Sequence, residues 1–161
     1  MISAYLSKKS NQKGFTLIEL LVVIGILAVL LAITLIAINP GRQFSQANDT
    51  KRRSDVNAIL NAIDQYAADN NGALPSTANP ITSTSTVIGN GTGQIDMCSF
   101  LVTRYLAAFP VDPLTNNGTP VTDCAAAYNT NYQVSKSATD NRVTITAPGS
   151  EIATPAISVT R

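Results

Sequence analysis

The chain has no histidine and no tryptophan, and it carries two cysteines in 161 residues, with 13% charged and 6% aromatic side chains. Without imidazole there is no histidine general base and no histidine-rich zinc site, and two distant thiols cannot build a multi-cysteine cluster. Most metalloenzymes and triad hydrolases are thereby excluded. The length allows one domain at most, and the formal net charge of +1 marks no strongly basic or acidic partner. Charge is scarcest in Phe15–Ile38 (FTLIELLVVIGILAVLLAITLIAI), a run of 24 residues with one charged side chain, Glu19. Outside it the chain is polar and loop-rich.

A helix of that length reaches roughly 36 Å, enough to cross a hydrocarbon core of about 30 Å with some tilt. A cleaved secretory signal has a shorter apolar region ending in small residues, whereas this run leads into Asn39-Pro40-Gly41. Lysines 8, 9 and 13 precede it, and Arg42, Lys51, Arg52 and Arg53 follow it, so the distribution of positive charge does not decide orientation. An acid inside such a segment costs on the order of 3 kcal/mol and by default marks a function with a partner. Within the segment no cation is present, so an intramembrane partner for Glu19 must be another chain or a terminal amine. The structural alternative is that Glu19 lies at the helix start, where the macrodipole favours an acid.

Lys13-Gly14-Phe15-Thr16-Leu17-Ile18-Glu19-Leu20-Leu21-Val22-Val23-Ile24 resembles the class III signal of type IV pilins and type II secretion pseudopilins. The resemblance implies cleavage between Gly14 and Phe15 by a membrane prepilin peptidase, and N-methylation of the new Phe15 amine. It further implies that Glu19 pairs with the Phe15 amine of a neighbouring subunit during filament assembly. A charge that is costly alone in lipid becomes tolerable when matched. Many members of the family place a proline where this chain has Ile36; here Pro40 stands four positions later. Proline removes a donor and crowds the carbonyl four residues back, so a kink or local melting is expected near Ile36–Gly41.

From Gln43 to Asn70 an amphipathic helix is expected, with Val56, Ile59, Leu60, Ile63 and Tyr66/Ala67 forming one stripe. Arg52, Arg53, Asp55, Asp64 and Asp69 fall on the other faces in this reading, and Lys51-Arg52-Arg53 reads as a solvated face or as inter-subunit ion pairs. Asn70-Asn71-Gly72 and Pro75 stop the helix. Residues 76–86 (STANPITSTST) read as an exposed loop. Met97–Phe109 has helical spacing of Leu101, Tyr105, Leu106 and Phe109. Period-two alternation at Tyr128/Tyr132/Val134, Val143/Ile145/Ala147 and Ile157/Val159 predicts three antiparallel strands. Residues 71–161 hold four basic and five acidic side chains, so no basic surface for nucleic acid is expected.

The fold expected is α+β: one long N-terminal helix, membrane-spanning in its lower half, packed on a small antiparallel sheet. Its segments are a leader over 1–14, a transmembrane and assembly helix over 15–38, an amphipathic continuation over 39–70 and a globular head over 71–161. Cys98 and Cys124 would lie in an extracytoplasmic head, where a disulfide is the economical reading. Major pseudopilins often hold calcium in loops after the second helix, but Asp112-Pro113-Leu114-Thr115-Asn116-Asn117-Gly118 does not fit an EF-hand loop. Asp112 and Asp123 could offer oxygens, but Asp112-Pro113 reads better as a simple turn, and no metal or cofactor is expected. The function implied is a structural subunit of a type IV pilus-like extracellular filament, without enzymatic activity. Its partners would be the peptidase, sister subunits, an assembly platform with its ATPase, and membrane lipid before assembly. A secretion pseudopilin, or a membrane-anchored adhesion or DNA-uptake module, is the alternative.

Overall fold

A computed structural model describes residues 14–76 and 79–161; the leader, apart from Gly14, lies outside the described residues. The chain forms two compact units that divide after Pro40, and each is described by itself.

The first unit is helix α1, Leu17–Ile38. Its leucines, isoleucines and valines leave no polar face, and none of its residues is buried. A helix apolar all round belongs in a membrane or among other helices rather than in water, and this one has the length and composition to cross a bilayer. It ends at Asn39, whose φ of 49° and ψ of 76° are left-handed, and the next helix begins at Pro40. The interruption falls within the segment where the proline predicts one.

The second unit is built on α2, Pro40–Asp69. Val56, Ile59, Leu60 and Ile63 are fully buried and Tyr66 packs against them, so the expected stripe faces the core. Burying each large aliphatic contributes about 1.5–3 kcal/mol. The stripe also extends downward through Asp49 and Arg52, both buried. Arg52 is therefore not on a solvated face: it stands four residues before Val56 and seven before Ile59, on the same side of the helix. At the top of α2 the Gly72 N–H donates to the Ala67 carbonyl at 2.8 Å and Gly72 has φ 85°, the left-handed close that glycine permits.

Beyond it come strand β1 (Thr86–Gly89), the short helix α3 (Cys98–Leu101), and strands β2 (Asn129–Lys136), β3 (Val143–Ala147) and β4 (Ile157–Thr160). The strands make one antiparallel sheet in the order β1-β2-β3-β4. Val134 faces Ile145, and Ile145 faces Val159. Tyr132, Val134, Val143, Ile145, Ala147 and Ile157 are buried in one core with the α2 stripe, while the alternate positions stay partly or fully exposed.

Two expectations change. A fourth strand, β1, follows the Ser/Thr-rich loop; with Val87 and Ile88 as its apolar content, it is too short to show alternation and is held by pairing to β2. The second helix shrinks to four residues. At Thr103 the backbone turns left-handed (φ 73°), and its N–H donates to the Leu106 carbonyl at 2.7 Å. The β-branched pair Val102-Thr103 weakens the helix there. Leu101 is fully buried as the last residue of α3, and Phe109 reaches full burial beyond the turns that follow it.

Cys98, fully buried, is bonded to Cys124 with Cα atoms 5.4 Å apart, tying α3 to the loop before β2. Closing a loop of this length stabilises a domain by roughly 3–4 kcal/mol on the chain-entropy account. Alkylation of the native protein should find no free thiol, and Cys98→Ser should lower the thermal midpoint of the head while leaving leader processing unchanged. Quantitative thiol labelling of the unreduced protein would refute the bridge.

Candidate assembly site

At the start of α1 the chain supplies its own cap. Thr16 is extended (φ −82°, ψ 152°) and occupies the N-cap. The Glu19 N–H donates to Thr16 Oγ1 at 3.3 Å. In return Glu19 Oε2 accepts the Thr16 N–H at 2.8 Å and the Thr16 hydroxyl at 2.7 Å. This reciprocal arrangement satisfies donors that every helix leaves unpaired at its N-terminus. The helix-start reading of Glu19 is thus correct as far as local geometry goes. It does not exhaust the side chain, because both of these hydrogen bonds end on Oε2. Phe15, next to the cap, is 84% exposed. One turn of helix therefore brings together the aromatic residue, the capping hydroxyl and the single acid of the apolar run.

The second unit holds a different cluster. The Arg52 side chain is wholly buried. Its Nε and Nη2 donate to the two oxygens of Asp112 at 2.7 and 3.1 Å. Nη1 donates to Asp49 Oδ1 at 2.9 Å and to Glu151 Oε2 at 3.0 Å. Asp49 also accepts the backbone N–H groups of Glu151, Ile152 and Ala153, each at 2.9 Å. Glu151 accepts from Ser45 and Asn48. The fork of donors thus joins α2 to the segment at Asp112 and to the loop at 149–153. A Cβ on Gly149 would lie 3.0 Å from Asp112 Oδ2, so a side chain there would crowd the pair.

Burial alone would raise the Asp49 carboxyl, but the three backbone donors and Arg52 outweigh it and hold the group well below the carboxylate range. Glu151 is lowered by its hydrogen bonds to Asn48 and Arg52. Asp112, weighed from the sequence as an oxygen donor, is committed to Arg52 and to the Leu114 N–H at 2.9 Å, a turn of the kind expected of Asp-Pro. Asp123 accepts from the Ala125 N–H.

Comparison with known proteins places the chain in a family. Residues 9–35 match the prokaryotic N-terminal methylation motif. The chain is 34% identical to the type II secretion system core protein G of Pseudomonas aeruginosa over 68% of its length and 72% of that protein's. The protein of the same name from Aeromonas hydrophila is 31% identical over the same shares. The type IV wide pilus major component PilA4 of Thermus thermophilus is 43% identical over 38% of this chain and 45% of its own. No solved structure matches the chain significantly. The chain belongs to the type IV pilin and pseudopilin family, whose members are structural filament subunits.

Arg52 is the residue that sequence reasoning missed, and its position on the stripe is the signal that locates it. Both carboxyls with depressed values contribute stability that is present above their ordinary values, 4.5 for Glu151 and 3.8 for Asp49, and that is lost as pH falls below them. The head should melt at a nearly constant temperature between about pH 5 and pH 8 and progressively lower beneath that range. Arg52→Gln strands buried carboxylates and should destabilise by about 3–5 kcal/mol at neutral pH. The deficit should narrow on acidification, since protonation then relieves the unpaired charge. Calorimetry of both proteins across that range checks the sign.

Proposed function

We propose that the chain is a prepilin that prepilin peptidase cuts between Gly14 and Phe15, that the Phe15 amine is methylated, and that the subunit polymerises through its N-terminal helix. The carrying observation is the turn that presents Phe15, Thr16 and Glu19 together, with both hydrogen bonds accepted by the Glu19 side chain falling on one carboxylate oxygen. In a bilayer the cap offsets part of the cost of the acid. In a filament the carboxylate gains the terminal amine of a neighbouring subunit, so staggered addition is favoured over a lone subunit in lipid. The segments act accordingly: 1–14 as leader, 15–38 as anchor and assembly helix, 39–70 as its amphipathic continuation, and 71–161 as the head. Before assembly the subunit spans the cytoplasmic membrane; afterwards it belongs to an extracellular filament, built by an assembly platform and its ATPase. It has no enzymatic role.

A second reading, a periplasmic secretion pseudopilus, is favoured by one observation. The alignments with the two core proteins G cover 68% of this chain, against 38% for the wide-pilus component. Labelled surface filaments visible by electron microscopy support the pilus; loss of protein export on deletion, with no surface filament, supports the pseudopilus.

Two outcomes test the common mechanism. Intact-mass and N-terminal analysis of membrane-extracted protein should show a chain beginning at methylated Phe15; a start after residue 38 would sink the prepilin reading. Glu19→Ala should leave processing and insertion largely intact. It removes an acid worth on the order of 3 kcal/mol in lipid and strands a neighbour's amine. The ratio of sheared filament protein to membrane-retained mature protein should therefore fall strongly. An unchanged ratio would restrict Glu19 to its capping role.

A further inference from the structure

Major pseudopilins often hold calcium in the loops after the second helix. Here that part of the chain, residues 102–128, runs between α3 and β2 through turns and one 3-10 helix, Asn116–Gly118. Calcium takes about six to eight oxygens and draws its affinity from the number of carboxylates among them. The stretch holds two acids, Asp112 and Asp123.

Asp112 is buried with both oxygens engaged. Oδ2 accepts Arg52 Nε, and Oδ1 accepts Arg52 Nη2 and the Leu114 N–H. Its charge is therefore already matched by a guanidinium. Asp123 is exposed and accepts the Ala125 N–H on Oδ1 at 2.9 Å. It borders a hollow whose other polar side chains, Thr115, Asn116, Thr119, Thr122 and Asn129, are neutral, so a divalent ion there would meet one carboxylate. Asp96, before α3, accepts the Tyr128 hydroxyl and the Cys98 N–H on Oδ1. Among the described residues no three acidic or sulfur side chains gather so as to hold a metal ion. The donor set does not fit calcium.

Other contacts supply the constraint. The Cys98–Cys124 bridge ties the stretch to α3. Phe109 and Val121 exchange N–H to carbonyl bonds at 2.7 and 2.8 Å, which closes the stretch on itself. The Asp112 N–H donates to the Thr130 carbonyl of β2 at 3.0 Å, and its carboxylate is fixed to α2 through Arg52.

We propose that this head holds its fold without calcium, the Cys98–Cys124 bridge closing the loops that a bound ion closes in such pseudopilins, and the Arg52 guanidinium standing as the cation toward Asp112. The head is then sensitive to thiol reductants and indifferent to calcium. Every contact named lies in the head, so this holds for a pilus or a pseudopilus subunit alike, and its failure would leave the assembly mechanism untouched.

Thermal unfolding of the mature chain in detergent micelles provides the test. It is followed by the near-ultraviolet circular dichroism of Tyr66, Tyr105, Tyr128 and Tyr132, all of which lie in the second unit. Midpoints in excess calcium chloride and in the chelator EGTA should coincide, and calorimetric titration of calcium into the chelator-treated protein should give no saturable heat. A thiol reductant should lower the midpoint by roughly 10 °C or more, and calcium should not restore it. Since an ion that binds the folded head alone must stabilise it, saturable calcium binding or a midpoint raised by calcium, in the oxidised or the reduced protein, would overturn the proposal. So would a midpoint unmoved by the reductant once mass analysis shows both thiols free, because the bridge would then constrain nothing.

Discussion

A guanidinium that loses its water needs other acceptors for its nitrogens, and Arg52 obtains them from three carboxylates in three parts of the sequence. Asp49 lies one turn below it on α2, Asp112 in the segment after α3, and Glu151 in the loop between β3 and β4. The helix cannot dock with this residue inward unless both loops come to it. Without Arg52 the Asp112 carboxylate loses its side-chain partner on α2, whereas the loop at 149–153 is also held by Asp49, Ser45 and Asn48. A buried pair of this kind adds little net stability over an apolar replacement, but breaking it is costly. Its contribution is to the register of the head, since one placement of α2 against the loops gives each of the three guanidinium nitrogens a carboxylate partner.

The same electrostatic logic applies with opposite emphasis at the start of α1. There, among the described residues, the acid is paired with no cation. Thr16 supplies an N–H and a hydroxyl to one oxygen, which eases the helix start, but no cation lies within the apolar run. Arg52 meets its counter-charges inside the fold, in one closed cluster. In the assembly proposed above, Glu19 meets its counter-charge between subunits, which suits a helix that leaves lipid for a filament.

The second unit divides its stabilisation between the apolar stripe of α2 and the sheet, with the disulfide tying down the segment that carries little regular structure. Between α3 and β2 the chain runs through turns and a single short 3-10 helix. Tyr128 bridges that region by donating its hydroxyl to Asp96 at 2.7 Å, and the Cys98 N–H reaches the same phenol oxygen at 3.3 Å. Short elements of this kind hold their shape through cross-links and side-chain hydrogen bonds because they bury too little surface to do so alone.

Much was legible in order. The apolar run, the stripe from Val56 to Ile63, the stop at Asn71-Gly72 and the three alternating strands all follow from periodicity, which reflects which face of an element meets water. The motif around Gly14, Phe15 and Glu19 is local in sequence, and so is the capping turn that it forms. Strand β1 was not legible, because four residues pair as a strand only when β2 is alongside. The spacing over Met97–Phe109 overstates the helix, because spacing does not reveal that Thr103 turns left-handed. The charge on Arg52 argued for solvent, and only the convergence of Asp49, Asp112 and Glu151 from distant positions could decide otherwise. The sequence by itself determined the membrane-compatible helix and its lone acid, since hydrophobicity and local capping act over a few residues. Tertiary structure alone decided where the buried charge sits, because its counter-ions are brought together by the fold.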